Sequence, residues 1–91
     1  SIFLWGARQT GKSFFLKKYY PSSLYYDLLD TRQLLKFIHS PYLLREEILA
    51  QKQRLDQPII IDEIQKAPDL LNEVHWLIEN LDAQFILCGS S

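Results

Sequence analysis

Ninety-one residues suffice for one compact domain and no more, and 47% hydrophobic against 23% charged residues is the composition of a core-forming chain, not of a disordered one. Ten basic against eleven acidic residues leave a net charge of −1, so the basic excess that phosphate-backbone binding requires is missing and nucleic acid is unsupported as a partner. The single cysteine, Cys88, excludes an internal disulfide, and without a Cys-x-x-Cys pair or a Cys/His cluster structural zinc is excluded as well.

In chain order, Ile2-Phe3-Leu4-Trp5 is the first of three short apolar runs without polar alternation; Pro58-Ile59-Ile60-Ile61 and Phe85-Ile86-Leu87-Cys88 are the others. Such runs are typical of strands buried on both faces, so all three are expected as central parallel strands. Residues 12–20 read as a helix with Phe15, Leu16, Tyr19 and Tyr20 on one side, stopped by Pro21-Ser22-Ser23. Leu24-Tyr25-Tyr26-Asp27-Leu28 is aromatic-rich but mixed in polarity, which suits a strand near the sheet's edge. Residues 31–39 form a second helical pattern grouping Leu34, Leu35 and Ile38; Pro41 interrupts it, and a third runs from 42 to about 54 with Leu44, Ile48 and Leu55 at near-helical spacing.

The clearest helix follows Pro68, a residue tolerated at the first helical position because its missing N–H would have no partner there. At about 100° per residue, Leu70, Leu71, Val74, Leu77, Ile78 and Leu81 share an arc of about 120°. Trp76 falls outside it, to lie over its own helix surface or a neighbouring loop, or to meet a surface or partner beyond the chain. The succession β-α-β-α-α-β-α-β predicts an α/β fold, a parallel sheet of about four strands with helices on both faces and right-handed crossovers. None of the apolar runs approaches the roughly 20 residues that span a bilayer, and residues 1–5 lack the build of a signal peptide, so no membrane partner and a reducing, cytoplasmic setting are expected. The chain has no methionine, opens on an apolar run and stops at Gly89-Ser90-Ser91; the expectation is a single partial domain over 1–91, cut from a longer protein.

Gly6-Ala7-Arg8-Gln9-Thr10-Gly11-Lys12-Ser13 meets G-x-x-x-x-G-K-[ST] at every fixed position, directly after a predicted strand and before a predicted helix. A loop that curls around a polyphosphate must aim consecutive backbone N–H groups inward, and side chains at the tightest approaches would block it, hence Gly6 and Gly11. The following helix offers its unpaired N-terminal N–H groups and dipole to the same anion. Lys12 brings a full charge to the β- and γ-phosphates, and the Ser13 hydroxyl is placed to coordinate Mg²⁺. The nucleotide-binding stretch is thus Gly6, Ala7, Arg8, Gln9, Thr10, Gly11, Lys12, Ser13 and Phe14, the fingerprint of a P-loop NTPase. At average residue usage a chance match somewhere in a chain this short has a probability of roughly a few in a thousand.

Asp62-Glu63 follows three isoleucines at the carboxyl end of a buried strand, the edge where ligands gather in doubly wound sheets. Alone, such a pair is an ordinary helix start. Beside a phosphate loop, Asp62 reads as the carboxylate that accepts a bond from Mg²⁺-bound water and so helps to hold the ion, and Glu63 as the one that polarises the attacking water. The adjacent glutamate, with no Asn-Lys-x-Asp signature for guanine, favours ATP hydrolysis over phosphate transfer or a GTP switch. Lys12 and Glu63 are the catalytic candidates, Ser13 and Asp62 the metal candidates. Gly89-Ser90-Ser91 ends the last strand either as a plain turn or, if that strand lies between the other two, with a hydroxyl that reaches the attacking water or the γ-phosphate.

Three blocks, residues 6–13, Ile59-Ile60-Ile61-Asp62-Glu63-Ile64-Gln65 with Pro68 behind it, and Phe85-Ile86-Leu87-Cys88-Gly89-Ser90-Ser91, together resemble an AAA-type ATPase family of bacteria and archaea. Members pair such a domain with a C-terminal domain of unknown function. The resemblance extends to Tyr26-Asp27-Leu28 with Asp30. It implies a truncated AAA-like core in which the Gly-Ser-Ser strand is inserted between the phosphate-loop and Asp-Glu strands, with Ser90 or Ser91 as polar sensor. It also implies a fifth strand, a helical lid and γ-phosphate-contacting arginines from a neighbouring subunit beyond these residues. A weakly active or inactive fragment, an uncovered apolar edge at Ile2–Trp5 and a homo-oligomeric parent protein are the corresponding expectations.

The remaining candidates read as structural. His39 and His75 are read as lacking a carboxylate or cysteine partner at ligand spacing, Cys88 as a small buried hydrophobe, and Arg8 as mainly solvent-facing. Asp27 and Asp30 either orient Glu63 or, for Asp30, cap the next helix. The leading reading is an ATPase core using ATP and Mg²⁺. A nucleotide-dependent switch or assembly module without significant hydrolysis and a small-molecule kinase are the alternatives.

Overall fold

Isoleucines at 59, 60 and 61 leave no polar residue to turn outward, and the fold buries all three completely. The computed structural model describes residues 2–5, 12–52 and 55–89, without the side chains of residues 2, 4, 5 and 12–14. Strands β1 (Ile2–Trp5), β2 (Tyr25–Asp27), β3 (Ile59–Asp62) and β4 (Phe85–Gly89) form one parallel sheet in the order β1-β4-β3-β2. Both fully buried strands, β3 and β4, are central; the mixed-polarity β2 is an edge, as its composition predicts. β1 forms the other edge, with Phe3 half exposed, where an apolar run had suggested a central strand.

Helices α1 (Lys12–Tyr19), α2 (Thr31–His39), α3 (Tyr42–Leu49) and α4 (Leu70–Leu81) cover both faces. On one face, Phe37 of α2, Leu44 and Ile48 of α3, and Leu70, Val74 and Leu77 of α4 pack on Tyr26, Ile59, Ile61, Phe85 and Leu87. On the other, Leu16 of α1 packs on Ile60, Ile86 and Cys88. The alternation follows the two-residue period of a strand, and the register Ile59↔Phe85, Ile60↔Ile86, Ile61↔Leu87 keeps like faces together. Cys88 is buried as a small hydrophobe, as expected.

Several helical faces differ from the pattern in the sequence. Among the described side chains of α1 only Leu16 is buried, and Tyr20, just past the helix, is half-buried; Phe15 and Tyr19 are exposed and stack on each other at 4.4 Å between ring centres. In α2, Leu35 and Ile38 are exposed and Phe37 is buried instead, because its ring meets Tyr26 of β2 edge-on at 5.5 Å. α3 ends at Leu49 rather than near 54, and Leu55 reaches the core from a turn. Pro68 sits two residues before α4 rather than on its first turn, its carbonyl accepting from the Leu71 N–H. In α4, Leu71 departs from the predicted buried arc and is exposed. Trp76 is half-buried against α3, with the Arg45 guanidinium 4.8 Å over its ring, so its neighbour is a helix of the same chain.

Candidate functional site

Because all four strands run parallel, their carboxyl ends share one edge of the sheet, the edge from which the chain leaves β1 toward residues 6–11 and leaves β3 at Asp62. β4 lies between them, as the resemblance implied, so β1 and β3 are two strand spacings, about 10 Å, apart. Trp5 pairs with Gly89, and Asp27 with Asp62, so all four strands end nearly level. α1 begins at Lys12 and continues through Ser13 and Phe14, whose side chains are outside the described atoms. The candidates Gly6, Ala7, Arg8, Gln9, Thr10, Gly11, Ser90 and Ser91 lie outside the described residues.

Asp62 is 5% exposed and Glu63 2%, two consecutive carboxylates withdrawn from water. Burying a carboxylate is costly unless hydrogen bonds replace its hydration. For Asp62 the replacement comes from the neighbouring strand, where the Tyr25 hydroxyl donates to Oδ2 at 2.9 Å. Asp62 is two residues on from Ile60 and shares its face of the sheet, the face on which α1 lies. Lys17 of α1 holds its ammonium 4.8 Å over the Tyr25 ring. The candidate Mg²⁺ carboxylate and the helix that carries Ser13 are therefore on the same side of the sheet, at the same end.

Glu63 leaves the strand in the left-handed region, φ 62° and ψ 46°. For a residue with a Cβ this costs about 1–2 kcal/mol, and such a conformation persists where the surroundings impose it. Here a 3-10 turn over Ile64–Lys66 follows at once, Lys66 N–H donating to the Glu63 carbonyl at 3.0 Å, and Ile64 drops into the core. The Gln65 amide donates to Glu63 Oε1 at 2.8 Å. Gln65, which the sequence offered only as part of a resemblance, is thus the partner that Asp27 and Asp30 had been considered for. Asp27 Oδ1 instead accepts from the Leu29 N–H, and Asp30 Oδ1 from the Arg32 N–H as N-cap of α2, each at 2.9 Å. Tyr25 carried no distinguishing signal beyond its parity with Asp27, because the cross-strand register is a tertiary fact.

The oxygen donors at this edge fit a hard cation. Mg²⁺ is ordinarily held by one or two carboxylates together with phosphate oxygens and water, and Asp62 supplies one buried, oriented carboxylate. Among the described residues no three His, Cys, Asp or Glu side chains gather as a separate metal site. The expectation for His75 needs correcting: Nε2 lies 2.8 Å from Glu79 Oε1, a carboxylate one helical turn away, in an exposed pair. His39 Nδ1 is 2.9 Å from the Ser40 hydroxyl. No helix among the described residues is long and apolar enough to cross a membrane.

Compared with known families, the chain matches a model described as an AAA domain over residues 1–91. Comparisons with curated proteins and with solved structures returned no match.

Proposed function

The chain belongs to the AAA domain family, and from that premise we propose that it is the nucleotide-binding core of an ATPase, hydrolysing ATP to ADP and phosphate in the intact protein. The observation that carries the reading is the parallel order β1-β4-β3, in which the end of the phosphate-loop strand and the buried Asp62-Glu63 pair share one sheet edge, one strand apart. Backbone N–H groups of residues 6–13 cradle the phosphates, and Lys12 neutralises the β- and γ-oxygens. Ser13 and Asp62 are the residues that would hold Mg²⁺, whose contribution when bound is to draw charge off the phosphate oxygens. Glu63 takes the proton of the attacking water as its oxygen bonds to the γ-phosphorus and the bond to ADP breaks. Ser90 or Ser91, which follow Gly89 in the sequence, contacts the γ-phosphate.

The test is Glu63→Gln in the intact protein. Turnover is expected to fall at least about 100-fold while ATP stays bound. Unchanged turnover removes Glu63 from the mechanism. In the unaltered protein, tight ATP binding without hydrolysis would turn the reading into that of a switch module, and ATP consumption only with an added acceptor would turn it into that of a kinase.

A further inference from the structure

We propose that Tyr25 is a positioning residue for the magnesium carboxylate, setting the orientation of Asp62 from the neighbouring strand; this rests on the reading of Asp62 as a Mg²⁺ ligand. An aspartate at the end of a strand rotates about two side-chain bonds, and only part of that range presents a carboxylate oxygen to a cation above the sheet edge. The Tyr25 hydroxyl at 2.9 Å from Oδ2 restricts it. The register explains how the phenol reaches: Tyr25 pairs with Ile60 and Asp27 with Asp62, so Tyr25 starts two residues behind the carboxylate on the same face. Two residues of strand are about 6.6 Å, a span that the length of a tyrosine side chain covers.

The tyrosine is itself tied down. Its ring lies half-buried against the cluster of Leu16, Ile60, Ile86 and Cys88, and the Lys17 ammonium sits 4.8 Å over its face. A cation over an aromatic face draws electron density from the ring and sharpens the hydroxyl as a donor to an anionic acceptor. Lys17 lies one turn beyond Ser13 in α1. A single relay, Lys17 to Tyr25 to Asp62, therefore links the helix carrying one candidate metal ligand to the strand carrying the other. Groups that orient metal ligands in this way typically change metal affinity about 10- to 100-fold when removed.

The experiment measures ATP affinity of the intact protein calorimetrically, in excess magnesium chloride and again in EDTA, for the unaltered protein, Tyr25→Phe and Asp62→Asn. Phenylalanine keeps the ring and its packing and removes only the hydroxyl. Tyr25→Phe is expected to lose about tenfold in affinity with magnesium and nothing in EDTA. An equal loss in both conditions, or none in either, overturns the proposal, since a merely structural role would not depend on the metal. If Asp62→Asn loses the magnesium-dependent gain while Tyr25→Phe keeps it, the positioning role alone fails. If Asp62→Asn keeps the gain, the assignment of Asp62 fails and takes this inference with it.

Discussion

On one face of the sheet, α2, α3 and α4 bury Phe37, Leu44, Ile48, Leu70, Val74 and Leu77 against the strands; on the other, α1 brings Leu16 to Ile60, Ile86 and Cys88. The described core of the three-helix face is apolar. The α1 face turns polar at its carboxyl end, where Asp62 and Tyr25 meet beneath Lys17. The difference teaches that stability and chemistry are separated by the thickness of a single sheet. Apolar burial stabilises by about 1.5–3 kcal/mol per large side chain, and among the described side chains most of it lies on the three-helix face. Buried carboxylates cost stability, and Asp62 sits on the face where, among the described side chains, fewer apolar residues gather.

That contrast is best broken by substitutions on each side. Phe37→Ala, on the three-helix face, is expected to cost about 3–5 kcal/mol, read as a shift in the urea unfolding midpoint. Ile60→Val, equally buried but on the α1 face, is expected to cost about 0.5–1.5 kcal/mol in the same measurement. A cost at Ile60→Val above about 1.5 kcal/mol, beyond the ordinary range for this substitution, would show that the α1 face carries the load after all. The smallest effect is expected at the junction of the two faces. Glu63→Gly relieves a left-handed residue and deletes a buried carboxylate, so it should leave stability unchanged or raise it by up to about 1 kcal/mol. Turnover should vanish with the carboxylate. A loss of stability above about 1 kcal/mol would mean that the Gln65 contact, rather than catalysis, accounts for Glu63 at this position.

Much of this was readable along the chain because it is local. Three isoleucines in a row are typical of a strand buried on both sides, and a breaker cluster such as Pro21-Ser22-Ser23 ends a helix. Asp30 before Thr31 announced an N-cap, and the cap is there. The helical faces were less legible. Leu34, Leu35 and Ile38 make a better stripe on paper than Leu34 and Phe37, yet Phe37 is buried and its rivals exposed, because the edge of Tyr26 waits on one side only. Phe15 and Tyr19 likewise had an apolar alternative in each other. At the site, the pairing of Asp62 with Glu63 was visible, but neither Tyr25 nor Gln65 could be assigned its partner. One lies 37 residues away in sequence, across a strand register; the other depends on the backbone reversing at a residue with a Cβ.

The sequence by itself determined the alternation of elements, the phosphate-loop motif and the acidic pair, since each depends on residues within one or two turns of one another. Only the tertiary structure decided that β4 separates β1 from β3, that α1 shares its face with Asp62, and that Tyr25 holds that carboxylate. The reason is physical: two-residue alternation says which side chains share a face of a strand, but which strand lies alongside, and in what register, is set by the joint packing of all the helices and strands at once.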